Sequence, residues 1–86
     1  RYAGSGEVNS EVADTASALA AVRSEFAGRD GVSVDELDGL TVDFGDGSWF
    51  NVRPSNTEPL LRLNVEAPDE ATMAKLRDEV LDVIRR

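Results

Sequence analysis

Two periodicities run along the chain. Apolar side chains recur every second residue in several short runs, and every third or fourth residue in two longer ones. The first spacing predicts a half-buried strand, the second one face of a helix. From Glu7 to Val12, Val8 and Val12 fall on one side with Ser10 between them, a first strand. Asp14 then offers an N-cap, and Thr15, Leu19, Val22 and Phe26 form a helical stripe that reads as core. Ala16, Ala18, Ala20 and Ala21 favour this helix, and Gly28 and Gly31 bracket its exit. Val32 and Val34 suggest a short second strand, and Asp38-Gly39 is a turn signal.

Leu40, Val42 and Phe44 alternate with Thr41 and Asp43, another half-buried strand. Gly45-Asp46-Gly47-Ser48 predicts a hairpin turn. The strand from Trp49 to Arg53 follows, with Phe50 and Val52 on one face and Trp49, Asn51 and Arg53 on the other. After a loop from Pro54 to Pro59, Leu61, Leu63 and Val65 alternate with Arg62, Asn64 and Glu66 until Ala67-Pro68-Asp69 breaks the run. Asp69 caps a closing helix with Glu70 in its first turn, where the helix dipole favours an acid. Met73, Leu76, Val80, Val83 and Ile84 make its buried stripe. Arg85 and Arg86 suit its C-terminal end, for helix-end or interdomain contacts. The order is strand, helix, four strands, helix. That predicts an α+β domain in which two helices cover one face of an antiparallel sheet. The other face, carrying Trp49, Asn51, Arg53, Arg62, Asn64 and Glu66, is left open or packed on a neighbouring domain.

Composition narrows the chemistry. Eighty-six residues make one small domain, residues 1–86, and the small residues of 1–5 read as a linker end. The chain starts at Arg1 rather than methionine, which suggests a piece of something longer. With 41% hydrophobic residues it is not disordered by composition. There is no cysteine and no histidine, so thiolate sites and histidine bases or ligands are ruled out. Ser55 therefore lacks the base that a triad-type nucleophile needs. Most of the seventeen acids fall at turns or on helix surfaces, and Asp43 and Asp46 lack the full pattern of a calcium loop. No run has the length of a membrane span. A net charge of −8 disfavours binding a polyanion over a broad surface, but it leaves room for a local anion site.

The loop Arg53-Pro54-Ser55-Asn56-Thr57-Glu58-Pro59 has the chemistry for such a site. The Arg53 fork suits bidentate pairing with phosphate oxygens. The Ser55 and Thr57 hydroxyls, the Asn56 amide and backbone N–H groups are further donors. Pro54 and Pro59 restrict the loop and lower the entropy lost when a ligand orders it. On chemistry alone, a polar hairpin loop with an incidental arginine remains the alternative.

The run Arg53-Pro54-Ser55-Asn56-Thr57-Glu58-Pro59-Leu60-Leu61-Arg62, with Glu66-Ala67 after it, resembles the C-terminal domain signature of the α-D-phosphohexomutases, the phosphomannomutase and phosphoglucomutase enzymes. Ser5-Gly6-Glu7-Val8-Asn9, Asp38-Gly39-Leu40 and Gly47-Ser48-Trp49-Phe50-Asn51-Val52 are similar to the same domain. The resemblance implies a TATA-binding-protein-like β-α-β4-α fold. It implies that Arg53, Ser55, Asn56 and Thr57 bind the non-transferred phosphate of a hexose phosphate, mannose or glucose 1- or 6-phosphate, during transfer between positions 1 and 6. Arg62 and Glu58 are possible supporting residues. No catalytic residue and no metal ligand is expected in this chain. The phosphoserine, the Mg2+ site and the sugar-recognition loop belong to three other domains of the same protein, which is expected to be cytoplasmic. Asn56 leans away from phosphoglucosamine mutases, which carry glycine there. A non-catalytic interaction module, or one binding nucleic acid through the open sheet, is the rival. The charge of −8 and Trp49 as the one aromatic on that face argue against nucleic acid, and no membrane partner is expected.

Overall fold

The computed structural model describes residues 2–37 and 39–86. The turn expected at Asp38-Gly39 therefore falls partly on Asp38, outside the described residues. The elements are β1 (Ala3–Gly4), β2 (Val8–Glu11), α1 (Thr15–Phe26), β3 (Ser33–Asp35), β4 (Leu40–Asp43), β5 (Trp49–Pro54), β6 (Leu60–Ala67) and α2 (Glu70–Ile84). All strand pairs are antiparallel, in the order β1-β6-β5-β4-β3, with β2 also on β6. The α+β plan and its order are as expected, with one strand added.

That strand lies in the segment expected as a linker end. Ala3 pairs with Ala67 and Gly4 with Glu66. Next to them, the Ser5 backbone N–H donates to the Val65 carbonyl at 2.9 Å, and the Val65 N–H donates to Ser5 Oγ at 2.9 Å. The cause is β6. It is twice as long as β2, and the backbone groups beyond their pairing need partners. β1 supplies them along the same edge, after a break at residues 5–7 where Gly6 takes φ +68°.

Both helices start on the aspartates read from the sequence. Asp14 accepts from the Ser17 backbone N–H at 3.2 Å and from Ser17 Oγ at 2.9 Å. Asp69 accepts from the Thr72 N–H at 2.8 Å and from Thr72 Oγ1 at 3.0 Å. These bonds hold both carboxyls below the usual carboxylate range. α2 lies against β6 and β1, α1 against β4, and the helices pack on each other. Between helices and sheet the core gathers Val22, Phe26, Leu40, Val42, Phe50, Val52, Leu61, Leu63, Val65 and Ala67 with the five expected residues of α2. Phe26 is the hub. Its ring meets Phe50 edge-on at 5.0 Å and Phe44 at 5.9 Å, and the Arg29 guanidinium sits 4.4 Å from its centroid. Arg29 also pairs with Glu79 of α2 at 2.9 Å, tying the helices together.

Arg85 and Arg86 make their contacts inside the domain. Arg85 caps α2 and its Nε donates to the buried Ser10 Oγ at 3.1 Å, which joins α2 to β2. Arg86 lies 3.6 Å from both Asp82 and Glu25 of α1.

Candidate functional site

The β4–β5 turn sets the register that builds the site. Asp43 Oδ1 accepts from the Gly45 N–H at 2.8 Å and Asp46 Oδ1 from the Ser48 N–H at 3.0 Å. Gly45 and Gly47 supply positive φ. From this turn the pairs run Asp43↔Trp49, Val42↔Phe50, Thr41↔Asn51 and Leu40↔Val52. On the other side of β5, Trp49 faces Glu66, Asn51 faces Asn64 and Arg53 faces Arg62. Because faces alternate along a strand, these three rows all lie on the sheet face away from the helices.

The rows differ in chemistry. At the first, Trp49 Nε1 donates to Glu66 Oε1 at 3.3 Å. At the second, Asn51 Nδ2 donates to Thr41 Oγ1 at 2.9 Å. Residues of both rows, with Gly4 and Gly6, line one shallow depression. The third row places two arginines opposite each other. Arg62 is half-buried, and its buried Nε has no hydrogen-bond partner among the described residues. Like charges facing each other weaken a sheet, and a buried donor without a partner costs about 1–3 kcal/mol.

The loop from Pro54 to Pro59 follows this row and is held by its own hydrogen bonds. The Ser55 N–H donates to the Leu60 carbonyl at 3.0 Å, and the Leu60 N–H returns to the Glu58 carbonyl at 2.8 Å. That second bond spans one residue, Pro59, whose fixed φ suits an inverse γ-turn. The Val12 N–H donates to the Pro59 carbonyl at 2.9 Å, so the end of β2 also grips the loop. Inside, Ser55 Oγ accepts from the Thr57 N–H at 3.3 Å. This leaves the Ser55 hydroxyl proton available to point outward. The expectation of open backbone donors therefore holds only in part. The amides of Ser55 and Thr57 are engaged within the loop, while those of Asn56 and Glu58 carry no internal acceptor among the described residues.

A concavity of ≈ 520 Å³ is lined by Gly39, Arg53, Pro54, Ser55, Asn56, Thr57 and Arg62. All four residues expected to hold phosphate, and Arg62, meet in this one place. Glu58 is exposed and stands outside the lining. Gly39 was legible in the sequence only as a turn residue. Counting the register back from the Gly45–Ser48 turn is the signal that would have placed it opposite Arg53. Among the described residues no three of His, Cys, Asp or Glu gather as a cation site, and no helix is long and apolar enough to cross a membrane.

Residues 7–83 match the family model described as Phosphoglucomutase/phosphomannomutase, C-terminal domain. The chain belongs to this family. The phosphomannomutase of Methanocaldococcus jannaschii is 41% identical over 86 residues, covering 100% of this chain and 18% of that protein. The phosphomannomutase of Salmonella typhimurium is 43% identical over 81 residues, 93% of this chain and 17% of that protein. The crystal structure of a phosphoglucomutase/phosphomannomutase family protein from Burkholderia thailandensis superposes with a TM-score of 0.70 at 25% identity, over 99% of this chain and 18% of that one. The phosphohexomutase domain described here thus spans under a fifth of the length of the relatives it matches.

Proposed function

We propose that this chain is the part of a phosphohexomutase that grips the phosphate which is not being transferred. The observation that carries the proposal is the Arg53–Arg62 row, with an Arg62 Nε unpartnered among the described residues, in one concavity with Ser55, Asn56 and Thr57. In this reading Arg53 pairs two phosphate oxygens, Arg62 adds a second guanidinium to the lining, and the Ser55 and Thr57 hydroxyls and the Asn56 side chain and N–H complete the shell. Every one of these groups reads a phosphate rather than a sugar.

That indifference suits the reaction. A transfer between positions 1 and 6 presents first one end of the hexose and then the other, and both ends carry the same group. Binding energy spent on the remote phosphate is then equally useful in both halves, and it orients the acceptor hydroxyl. Movement of the domain over the sugar would exclude water. The family implies a magnesium site, and this reading assigns it to other domains of the same protein. In this reading phosphoryl transfer belongs to those domains, and this chain's part is to anchor. Asn56 favours a phosphomannomutase or phosphoglucomutase. The nucleic-acid alternative gains nothing from the open face, where Trp49 is tied to Glu66.

The test is Arg53→Ala in the protein that carries this domain. We expect KM for hexose phosphate to rise and kcat/KM to fall at least about tenfold, the loss of one charge-assisted contact or more, with folding intact. Unchanged kinetics would remove the anchor role.

A further inference from the structure

Gly39 immediately precedes β4. Continuing the β4–β5 register one residue past Leu40↔Val52 brings it opposite Arg53, which faces Arg62 on the other side. The three make one row across the sheet, and all three line the same concavity. Gly39 takes φ +73°, a left-handed conformation that side chains disfavour. A Cβ there would lie 2.4 Å from Arg53 Cγ, 2.6 Å from the Val52 carbonyl oxygen and 3.2 Å from Arg53 Cβ. The Val52 carbonyl belongs to the sheet backbone and Cβ and Cγ are the root of the Arg53 side chain, so a Cβ at residue 39 displaces the backbone there together with the Arg53 stem.

We propose that Gly39 is a positioning residue for the phosphate site. Its bare backbone is the wall against which the Arg53 stem lies, and this holds the guanidinium in row with Arg62. A side chain at this position pushes the Arg53 stem away from β4 and across the concavity, so the fork no longer faces a shared anion. The inference rests on the reading of Arg53 as a phosphate ligand.

Gly45 is the internal control. It also has positive φ, +77°, but a Cβ there would meet only the Gly31 carbonyl oxygen at 3.4 Å, at the far end of β4. The experiment titrates inorganic phosphate into the 15N-labelled chain and follows backbone amides and the Arg53 Nε–H. The variants are Gly39→Ala, Gly39→Asn and Gly45→Ala, with folding checked by signal dispersion. Asparagine tolerates the left-handed conformation while keeping the Cβ, so it separates the φ strain from the contact the Cβ makes. We expect Gly45→Ala to bind as the wild type does. Both Gly39 variants should bind about tenfold more weakly, the equivalent of one charge-assisted hydrogen bond, with the Arg53 Nε–H displaced before phosphate is added. A folded Gly39 variant with the wild-type Kd overturns the positioning role and leaves the anchor reading intact. A wild-type chain that ignores phosphate overturns both.

Discussion

Arg62→Met should make the free protein more stable and its phosphate site worse. The Arg62 side chain is half-buried, directly opposite Arg53, with a buried Nε that has no partner among the described residues. Leaving such a donor unsatisfied costs about 1–3 kcal/mol, and facing like charges on a sheet cost a few tenths more. Methionine keeps an unbranched apolar stem of similar reach and removes both penalties. Allowing for lost stem packing, the variant should gain about 1–2 kcal/mol without ligand. Phosphate changes the comparison. At ten times its Kd it stabilises the wild type by about 1.4 kcal/mol, and it should do far less for the variant. The assay is urea unfolding followed by Trp49, the one tryptophan, with and without phosphate at matched ionic strength. With a slope of roughly 1 kcal/mol per molar for a small domain, the variant's midpoint should lie about 1 M higher without phosphate, and the gap should close with it. A variant less stable than the wild type without phosphate, or phosphate stabilising both alike, would show that Arg62 is a structural arginine and refute the reasoning.

Two further outcomes follow from the fold. Phe26→Ala removes the ring that meets both Phe44 and Phe50 and should cost about 3–5 kcal/mol; set against roughly 4–13 kcal/mol for a chain of this size, this leaves the domain marginal in calorimetry. The capping carboxyls of Asp14 and Asp69 titrate below their ordinary value in the folded state, so their contribution is full above that value and disappears as pH falls through the lowered one. Between about pH 5 and pH 2, the wild type should therefore lose more thermal stability than an Asp14→Asn, Asp69→Asn double variant, whose caps do not titrate.

What could be read from the sequence was what side-chain spacing and local chemistry decide. Helix stripes, both N-caps and the Gly45–Ser48 turn depend on residues within a few positions of one another, and they stand where the pattern put them, except that in α1 only Val22 and Phe26 are fully buried, Leu19 packs at the edge and Thr15 lies outside the core. β1 could not be read because Ala3 and Gly4 have little strand preference of their own; the unpaired edge of β6 recruits them. The site divides in the same way. Arg53, Ser55, Asn56 and Thr57 are neighbours in sequence, so their meeting in one concavity was legible. Alternation placed Arg62 on that face, but its burial depends on lying between Asn9 of β2 and Arg53 of β5, which only the register reveals. Gly39 is fourteen residues from Arg53, and only the register brings them together. The acidic Glu58, a possible supporting residue by proximity in sequence, is exposed and is not among the residues that line the concavity.

The most direct test of the anchor is an NMR titration of this chain with mannose 1-phosphate, mannose 6-phosphate and inorganic phosphate, with Arg53→Ala beside it. The account predicts that all three ligands shift the amides of Arg53, Ser55, Asn56 and Thr57 alike and that the variant is silent. Shifts that depend on the sugar, or that persist in Arg53→Ala, would contradict it.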